Sequence, residues 1–515
     1  MTRREFLAIA ATSVSVLDTW PAFAAEDADL SLHMLLDGFS EGRALDARIQ
    51  ALEAFPTAGL SPVARLDRDV VLRGLRSDAV LADMLPFRRD ADSPYVVSPF
   101  AGAWRAVDAS GSDPALADRI AAETDAIDAA AARGILLPRA LLERTIASIQ
   151  RAAGKASPLV ANALWRQCAR LVASRPQASD TPGLWRMPNG AQLYAAMLHR
   201  QFGGDVSAAE AHARLSDEVR RISGRMNAML RKQGLTRGSI GERMRLFARQ
   251  PQWLYSDDDA GRDRAVADMN QCLDRVRPHL PLLFKVVPGE AGRLRVRRMT
   301  AAEEAAGRSG YRAMPGDGRD GAYVVDLREI RRRPAWSLPG VVHHELLPGH
   351  MMQLLGTKAS GAHPLRARYA PAMAEGWAIY GEELAAGAGA FEGDDAALIG
   401  HLHWLMFRLC RGMIDTGIHH GRWSTPEARR TLDLMQGEPA YFAGFDRDID
   451  QAIVNPGVRA AEALSWLELA ELERDFARGG DVRDFRTAAL DLGVMPLPLL
   501  AERTIDRDER RKGEQ

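Results

Sequence analysis

The chain has 515 residues and an almost balanced charge, with 67 basic and 68 acidic side chains. This balance argues against nucleic acid or an anionic membrane as the main partner. Three scattered cysteines, Cys168, Cys272 and Cys410, are too few for a disulfide framework or a cysteine-ligated metal. At most one pair could bridge, and buried free thiols are the favoured interpretation.

Residues 1–24 have the three parts of an export signal. Arg3-Arg4-Glu5-Phe6-Leu7 resembles a twin-arginine motif, an apolar run follows, and Ala22-Phe23-Ala24 offers a small-residue cleavage site. We therefore expect the twin-arginine export machinery to carry the precursor. The mature chain would begin at Ala25, in the periplasm or outside the cell. No later apolar run approaches the ~20 residues of a membrane span.

Residues 25–515 are predicted to form a single, mostly α-helical domain. Apolar residues recur at helical spacing in several segments, namely 45–55, 116–132, 140–153, 158–173 and 207–234. The charged face of the last segment is expected to be solvated. Residues 176–191 are rich in turn-forming residues and predict a loop between subdomains.

The predicted strands lie in residues 283–328, at the start of a half, 283–515, that also contains the candidate site. Phe284–Val287, Leu294–Arg297 and Ala322–Asp326 are short and rich in β-branched residues. Gly-containing turns separate the last two segments. These features predict a small hairpin or sheet within an otherwise helical protein.

An apolar run contains the residues most typical of a metal site, in Val341-Val342-His343-His344-Glu345-Leu346-Leu347-Pro348-Gly349-His350. Imidazole and carboxylate groups are ligands that Zn²⁺ prefers. His344 and His350 are six residues apart, so a regular helix would point them roughly 120° apart. A break or bulge at Pro348-Gly349 could bring them together.

Glu375 follows in a second apolar helix that Pro371 could begin. Two histidines and a glutamate form a known catalytic set for one Zn²⁺ that leaves a position open for water. We predict His344, His350 and Glu375 as ligands, with His343 as the first substitute. Glu345 is the predicted general base. We predict that Glu382 and Glu383 are solvated surface acids. We predict packing or surface positions for His401 and His403, because two residues that are two apart on a helix cannot share a face.

Two of these segments resemble the bacterial domain-of-unknown-function 885 (DUF885) family. His344 to His350 resembles its H-E-x-x-P-G-H signature, and Glu375 to Tyr380 resembles its E-G-W-A-x-Y signature. Members are thought to be zinc metallopeptidases, often exported or lipid-anchored, and similar to all-helical zinc oligopeptidases. The resemblance implies a two-lobed helical fold with a central cleft and a strand pair ahead of the metal helix. It also implies positions around the site for Tyr311, Trp377 and Tyr380.

A third segment, Arg411 to Ser424, resembles the family's D-T-G-x-H…G-W-S signature. The resemblance places His419 on the motif histidine, where an imidazole could stabilise an oxyanion. Asp415 could orient that histidine or a metal ligand. The match weakens over residues 451–466, where Val458 and Glu462 stand in place of the family's Gln and Tyr.

These features predict an exported zinc-dependent metallopeptidase that hydrolyses oligopeptides. Zinc-activated water would also serve an amidase or deacylase acting on non-peptide amides. A non-catalytic periplasmic binding protein that retains the metal for structure is the third interpretation. The presence of Glu345 weighs against it, because a structural site needs no base.

Overall fold

The computed structural model describes residues 25–41, 44–87, 92–107, 114–316, 318–442 and 444–502. Helices dominate these residues and one small sheet accompanies them, so the predicted mostly α-helical fold is confirmed. The expected export signal, residues 1–24, lies outside the described residues. None of the described helices combines the length and the apolarity needed to cross a membrane.

The helices of the first third agree with the apolar periodicity of the sequence. Helices α1 to α6 span Ala25–Asp37, Leu45–Ala54, Pro62–Met84, Pro114–Ala132, Arg139–Ala153 and Pro158–Ala173. Ser61 caps α3, since its side chain accepts a hydrogen bond from the N–H of Ala64. Residues 176–191 contain only short 3₁₀ turns before the next helix begins at Gly190.

The remaining helices include those that carry the candidate site. Helices α7 to α12 span Gly190–Phe202, Ala208–Lys232, Ile240–Ala248, Asp259–Val276, Leu280–Leu283 and Ala301–Ala305. Helices α13 to α21 span Leu338–Glu345, His350–Ser360, Arg366–Tyr369, Pro371–Gly387, Asp395–His419, Thr425–Thr431, Phe445–Val454, Val458–Phe476 and Val482–Asp491.

The charged face of α8 is less solvated than the sequence predicts. Arg214 donates hydrogen bonds to Glu468 and Glu471 of α20, at 2.9 and 2.8 Å. The expectation of a purely solvated face is therefore wrong for this residue, because a second helix packs alongside.

The sheet has three strands, β1 (Arg295–Arg298), β2 (Tyr311–Ala313) and β3 (Ala322–Val325), in the order β1-β3-β2. Strand β1 pairs parallel with β3, and β2 pairs antiparallel with it. The predicted strand at Phe284–Val287 is wrong. Phe284 is buried near Trp377 and the N–H of Lys285 donates to the Thr487 hydroxyl, so this backbone bonds to a helix side chain instead of a strand.

Helices α16 and α17 form the centre of the second half of the molecule. In α17, 21 of 25 residues are buried, which is typical of a helix enclosed on all sides. Helix α16 crosses α20 closely at Gly376, where a Cβ would lie 2.4 Å from the Cβ of Ser465. A glycine is therefore required next to Glu375, and this crossing fixes where that carboxylate lies.

The three cysteines are buried and unbridged, as predicted. Burial raises the pKa of the Cys168 and Cys272 thiols to about 11, and that of Cys410 to about 12. These thiols stay protonated at neutral pH, and a protonated thiol is neither a nucleophile nor a metal ligand.

Candidate metal centre

The metal-site segment is divided between two helices. Helix α13 ends at Glu345 and α14 begins at His350, and residues 346–349 connect them through a cis Leu347–Pro348 peptide bond. A Cβ on Gly349 would lie 2.1 Å from the carbonyl oxygen of His344, so only glycine fits in this connection. The break predicted at Pro348-Gly349 is confirmed.

This break brings the two histidines together. The ring centroids of His344 and His350 are 4.7 Å apart, and the rings are nearly perpendicular. Glu375, from the start of α16, lies between them: its carboxylate oxygens are 3.5 Å from His344 Nε2 and 3.3 Å from His350 Nε2. One ligand atom from each residue lies within 4.8 Å of the others, so the three side chains form a group that could hold one metal ion.

The donor atoms fit a divalent metal. His350 Nε2 is buried and has no hydrogen-bond partner among the described residues, which is costly unless a ligand satisfies it. The Glu375 side chain keeps 40% of its surface exposed, so the group is open on one side. Two imidazoles and one carboxylate with an open side match the donor set of a catalytic zinc site.

Glu382 contacts the first histidine of the cluster, and the prediction that it is a surface acid is wrong. It is fully buried, and its Oε1 lies 2.9 Å from His344 Nδ1. A proton on Nδ1 would leave Nε2 free as a ligand, the arrangement typical of metal-binding histidines. Glu382 is seven residues, or two turns, after Glu375, so helical spacing alone puts both carboxylates on one face of α16.

Arg408 of α17 completes this support, and sequence reasoning did not identify it. Its Nη2 lies 2.9 Å from Glu382 Oε1 and 2.9 Å from His344 Nδ1. Burial raises the pKa of Glu382, but Arg408 and then the hydrogen bonds with His344 and His401 outweigh it and lower the pKa to about 2. Glu382 is therefore an acceptor throughout the physiological range.

The carboxylates also set the protonation of the two histidines. Burial and Arg408 lower the pKa of His344, but the hydrogen bonds with Glu375 and Glu382 prevail and raise it to about 9. Burial lowers the pKa of His350, which Glu375 only partly opposes. Without metal, the cluster thus carries its proton on His344, and a metal ion has to displace that proton.

The other nearby histidines do not join the cluster. His343 is fully buried and points elsewhere, with Nδ1 3.0 Å from the Leu347 carbonyl oxygen and its ring against Phe391. It is therefore not a substitute ligand. His401 and His403 are buried, as a packing role predicts, but His401 also bonds to Glu383, with Nε2 2.8 Å from a carboxylate oxygen. The surface position expected for Glu383 is thus also wrong.

Glu345, the predicted base, follows His344 directly at the end of α13. Its carboxylate is paired with Arg312 of β2 through a short contact, and 19% of its side chain is exposed. Strand β2 lies at an edge of the sheet. Arg312 on this edge strand therefore holds the Glu345 carboxylate, a contact that the sequence did not predict.

His419 and Asp415 do not occupy the positions implied by the family signature. His419 Nδ1 accepts a hydrogen bond from the N–H of Leu184, and its Nε2 donates to the Ala452 carbonyl. Both ring nitrogens are thus engaged in the protein interior, and burial lowers the pKa of His419 to about 4. A role in oxyanion stabilisation does not fit these contacts.

Asp415 caps α20 and touches neither His419 nor a metal ligand by a hydrogen bond. Its carboxylate accepts from the N–H groups of Gly457, Arg459 and Ala460 and from the Tyr194 hydroxyl. The expectation that it orients a histidine is therefore wrong. Burial raises the pKa of Asp415 to about 7 in spite of these hydrogen bonds.

The three aromatic residues of the prediction have different surroundings. The Trp377 indole N–H donates to the Pro348 carbonyl at 3.0 Å, so this residue holds the connection between α13 and α14. Tyr380 is buried and its hydroxyl bonds to Glu473. The Tyr311 hydroxyl bonds to Glu303, away from Glu345. Of the three, only Trp377 contacts the metal-site connection by a hydrogen bond.

A family model agrees with the predicted resemblance. The model described as "Bacterial protein of unknown function (DUF885)" matches residues 38–504. No curated protein matches the chain significantly.

Solved structures share the fold. One is "the putative lipoprotein from Colwellia psychrerythraea", with 21% identity, a TM-score of 0.72, and coverage of 96% of this chain and 93% of that one. Another is "a putative lipoprotein of unknown function from Shewanella oneidensis", with 16% identity, a TM-score of 0.66, and coverage of 97% and 96%. At these identities the likeness concerns the fold alone.

The ligand assignment is tested by two single variants. We expect His350→Ala to lose most of its bound metal, because one of three converging donors is removed. The control is His343→Ala, since the His343 side chain points away from the cluster. This variant should keep about one ion per chain. Elemental analysis after zinc loading and desalting gives the occupancy, and circular dichroism checks the fold. Full occupancy in His350→Ala would show that the ligand set is wrong.

The support by Glu382 is tested through metal affinity. Glu382→Gln keeps the shape of the side chain but removes the charge that orients His344, and we expect affinity to fall about 10–100-fold. Glu383→Gln is the matched control, since that neighbour contacts His401 instead. Competition with a zinc chelator measures both. Equal affinities in the two variants would remove the special role of Glu382.

Proposed function

The chain belongs to the DUF885 family of bacterial proteins of unknown function, and we propose that it is an exported, zinc-dependent peptidase acting on oligopeptides. The observation that carries the proposal is the convergence of His344, His350 and Glu375, in a chain where Glu345 directly follows His344. A structural metal site needs neither an open side nor an adjoining carboxylate. A hydrolytic site needs both.

In this proposal, His344, His350 and Glu375 hold the metal. A zinc ion bound there would act as a Lewis acid and would promote the ionisation of water near neutral pH. Glu382 and Arg408 keep His344 oriented so that its Nε2 faces the ion. Since Glu382 is fully buried and the Arg408 side chain is only 11% exposed, they fix this geometry before substrate binds.

Glu345 is the proposed general base. It accepts a proton from the attacking water and transfers it to the leaving amine. Water supplies a hydroxyl to the carbonyl carbon, the amide C–N bond breaks, and the products are a carboxylate and an amine. Arg312 holds the Glu345 carboxylate in place and is the proposed positioning residue.

Location and substrate size form the second part of the proposal. The two solved structures of similar fold are each described as a "putative lipoprotein", and the first 24 residues have the order of an export signal. We propose a periplasmic or secreted protein. A two-lobed arrangement of long helices with a central cleft would admit oligopeptides more readily than folded proteins.

The base is tested by Glu345→Gln, which keeps the size of the side chain and removes its basicity. We expect the rate to fall about 10²–10⁴-fold with zinc content unchanged. The matched control is Glu329→Gln, a change at an exposed glutamate that pairs with Arg332. All proteins are incubated with a mixed oligopeptide library, and new termini are followed by mass spectrometry.

The outcomes of this experiment separate the candidate functions. Cleavage by wild type and by Glu329→Gln, but not by Glu345→Gln, supports the peptidase. Equal cleavage by all three would remove Glu345 from its role. Absence of cleavage in all three at full zinc occupancy would contradict the peptidase and favour an amidase of non-peptide amides or a binding protein.

The export route is tested in the precursor. Replacing both arginines of the motif by lysine (Arg3→Lys with Arg4→Lys) should strand the protein in the cytoplasm, because the export receptor reads the arginine pair. Fractionation followed by immunoblotting measures the distribution. An unchanged periplasmic yield would contradict twin-arginine export.

A further inference from the structure

Two arginines lie close to the metal cluster without being ligands or supports of it. Arg411 follows Arg408 by one turn of α17, a rise of about 5 Å. Arg408 contacts both Glu382 and His344, each at 2.9 Å. Arg411 is therefore one helical turn from the groups that orient the first histidine.

Arg459 reaches the same region from the first turn of α20. Its N–H donates to the Asp415 carboxylate at 3.1 Å, and Asp415 is one turn after Arg411 on α17. The Arg459 carbonyl oxygen would lie 3.3 Å from a Cβ on Gly412, so the two helices touch next to Arg411. The same α20 crosses α16 at Gly376, beside Glu375. Helices α16, α17 and α20 thus meet around the two arginines.

The electrostatics agree with this arrangement. Burial and then the charge of Arg459 lower the pKa of Arg411 to about 10, although Glu462, Asp448 and Glu375 oppose the shift. Burial also lowers the pKa of Arg459, but Glu462 and then Glu375 raise it overall. Each arginine is therefore within electrostatic reach of the other and of a metal ligand.

Arg411 has donors with no acceptor. It is 8% exposed, and its buried Nε donates no hydrogen bond to any residue that the structure describes. The nearest carboxylate, Asp448, approaches Nε only to 3.4 Å, and neither of its oxygens accepts a hydrogen bond in the described chain. Arg459, in contrast, is satisfied by two contacts with Glu462, at 2.6 and 2.9 Å. The ion pair of Arg411 with Asp448 is thus made without a hydrogen bond, which leaves guanidinium donors of Arg411 for a further anion.

A carboxylate is the partner that this geometry fits. A guanidinium presents planar, paired donors that match the two oxygens of a carboxylate. Its plane is held by the ring of Phe407, whose centroid lies 4.8 Å from Cζ. A second cation close by, Arg459, would repel an ammonium group.

We propose that Arg411, supported by Arg459, binds the free C-terminal carboxylate of the peptide substrate, and that the protein removes residues from the C-terminus. The inference rests on the proposed peptidase function and names its substrate class.

The test compares peptides that differ only at their ends. The zinc-loaded full chain is given one sequence as the free acid, as the C-terminal amide, and as the N-acetylated free acid. We expect kcat/KM for the amide to be lower than for the acid on the order of 10²-fold. Acetylation should change it little. Equal cleavage of acid and amide, or loss of cleavage on acetylation, would overturn the inference and indicate internal or N-terminal recognition.

Two arginine variants test whether Arg411 and Arg459 cause the preference for the free acid over the amide. Arg411→Gln should bring the acid-to-amide ratio close to one, chiefly through KM, while zinc content stays unchanged. Arg459→Gln should reduce the ratio partially and serves if Arg411→Gln fails to fold, as judged by thermal melting. Arg429→Gln, at a half-exposed arginine that pairs with Asp433 and Asp446, is the control. An unchanged ratio in both folded variants would overturn the inference.

A binding measurement separates this inference from the proposed function. The metal-free wild type and Arg411→Gln are titrated with an N-acetyl dipeptide acid and with its amide. Preference for the acid in wild type alone supports the carboxylate site even if no peptide is cleaved, an outcome that would contradict only the peptidase. Equal binding of acid and amide by wild type would overturn the carboxylate site while leaving the peptidase intact.

Discussion

The metal cluster depends on the close contact between α16 and the connection of α13 to α14. A Cβ on Gly381 would lie 3.0 Å from atoms of Pro348 and Gly349, so the two backbones touch. One turn earlier, the Trp377 indole donates to the Pro348 carbonyl. The helix that holds this connection also supplies Glu375 as a ligand and Glu382 as the support of His344. One packing contact thereby sets the position of the ligand Glu375, of the supporting residue Glu382 and of the second histidine, His350.

The charges around this contact are better explained by ligand binding than by stability. Buried ion pairs such as Glu382–Arg408 contribute little net stability, because the desolvation cost offsets their attraction. The region nevertheless keeps buried side-chain atoms of His350, Arg411 and Asp448 without a hydrogen bond to any described residue. Native proteins leave few buried polar groups unsatisfied, and such groups concentrate where a metal or substrate completes them.

Part of this site could be predicted from the sequence because it is encoded by short-range spacing. His344, His350 and Glu375 follow from residue types and from a helix-breaking Pro-Gly pair between the histidines. The contacts of Arg408 with His344 and of Arg312 with Glu345 join residues 64 and 33 positions apart, which spacing does not reveal. The oxyanion role predicted for His419 does not fit the structure for the same reason. Its ring nitrogens bond to backbone groups 235 and 33 positions away. The strand at Phe284–Val287 failed because β propensity needs a neighbouring strand.

Residues 451–466, where the sequence is expected to depart from the family pattern, include Arg459 of the proposed carboxylate site. Glu462 stands where the family is expected to have a tyrosine, and here it binds Arg459 through both carboxylate oxygens. An acid at this position neutralises Arg459, whereas a tyrosine would leave its charge available. Arg411, the more buried of the two, keeps only the 3.4 Å contact of its Nε with Asp448 and so has the more available charge. A local change beside the cluster can in this way alter which substrate end is recognised while the metal ligands stay the same.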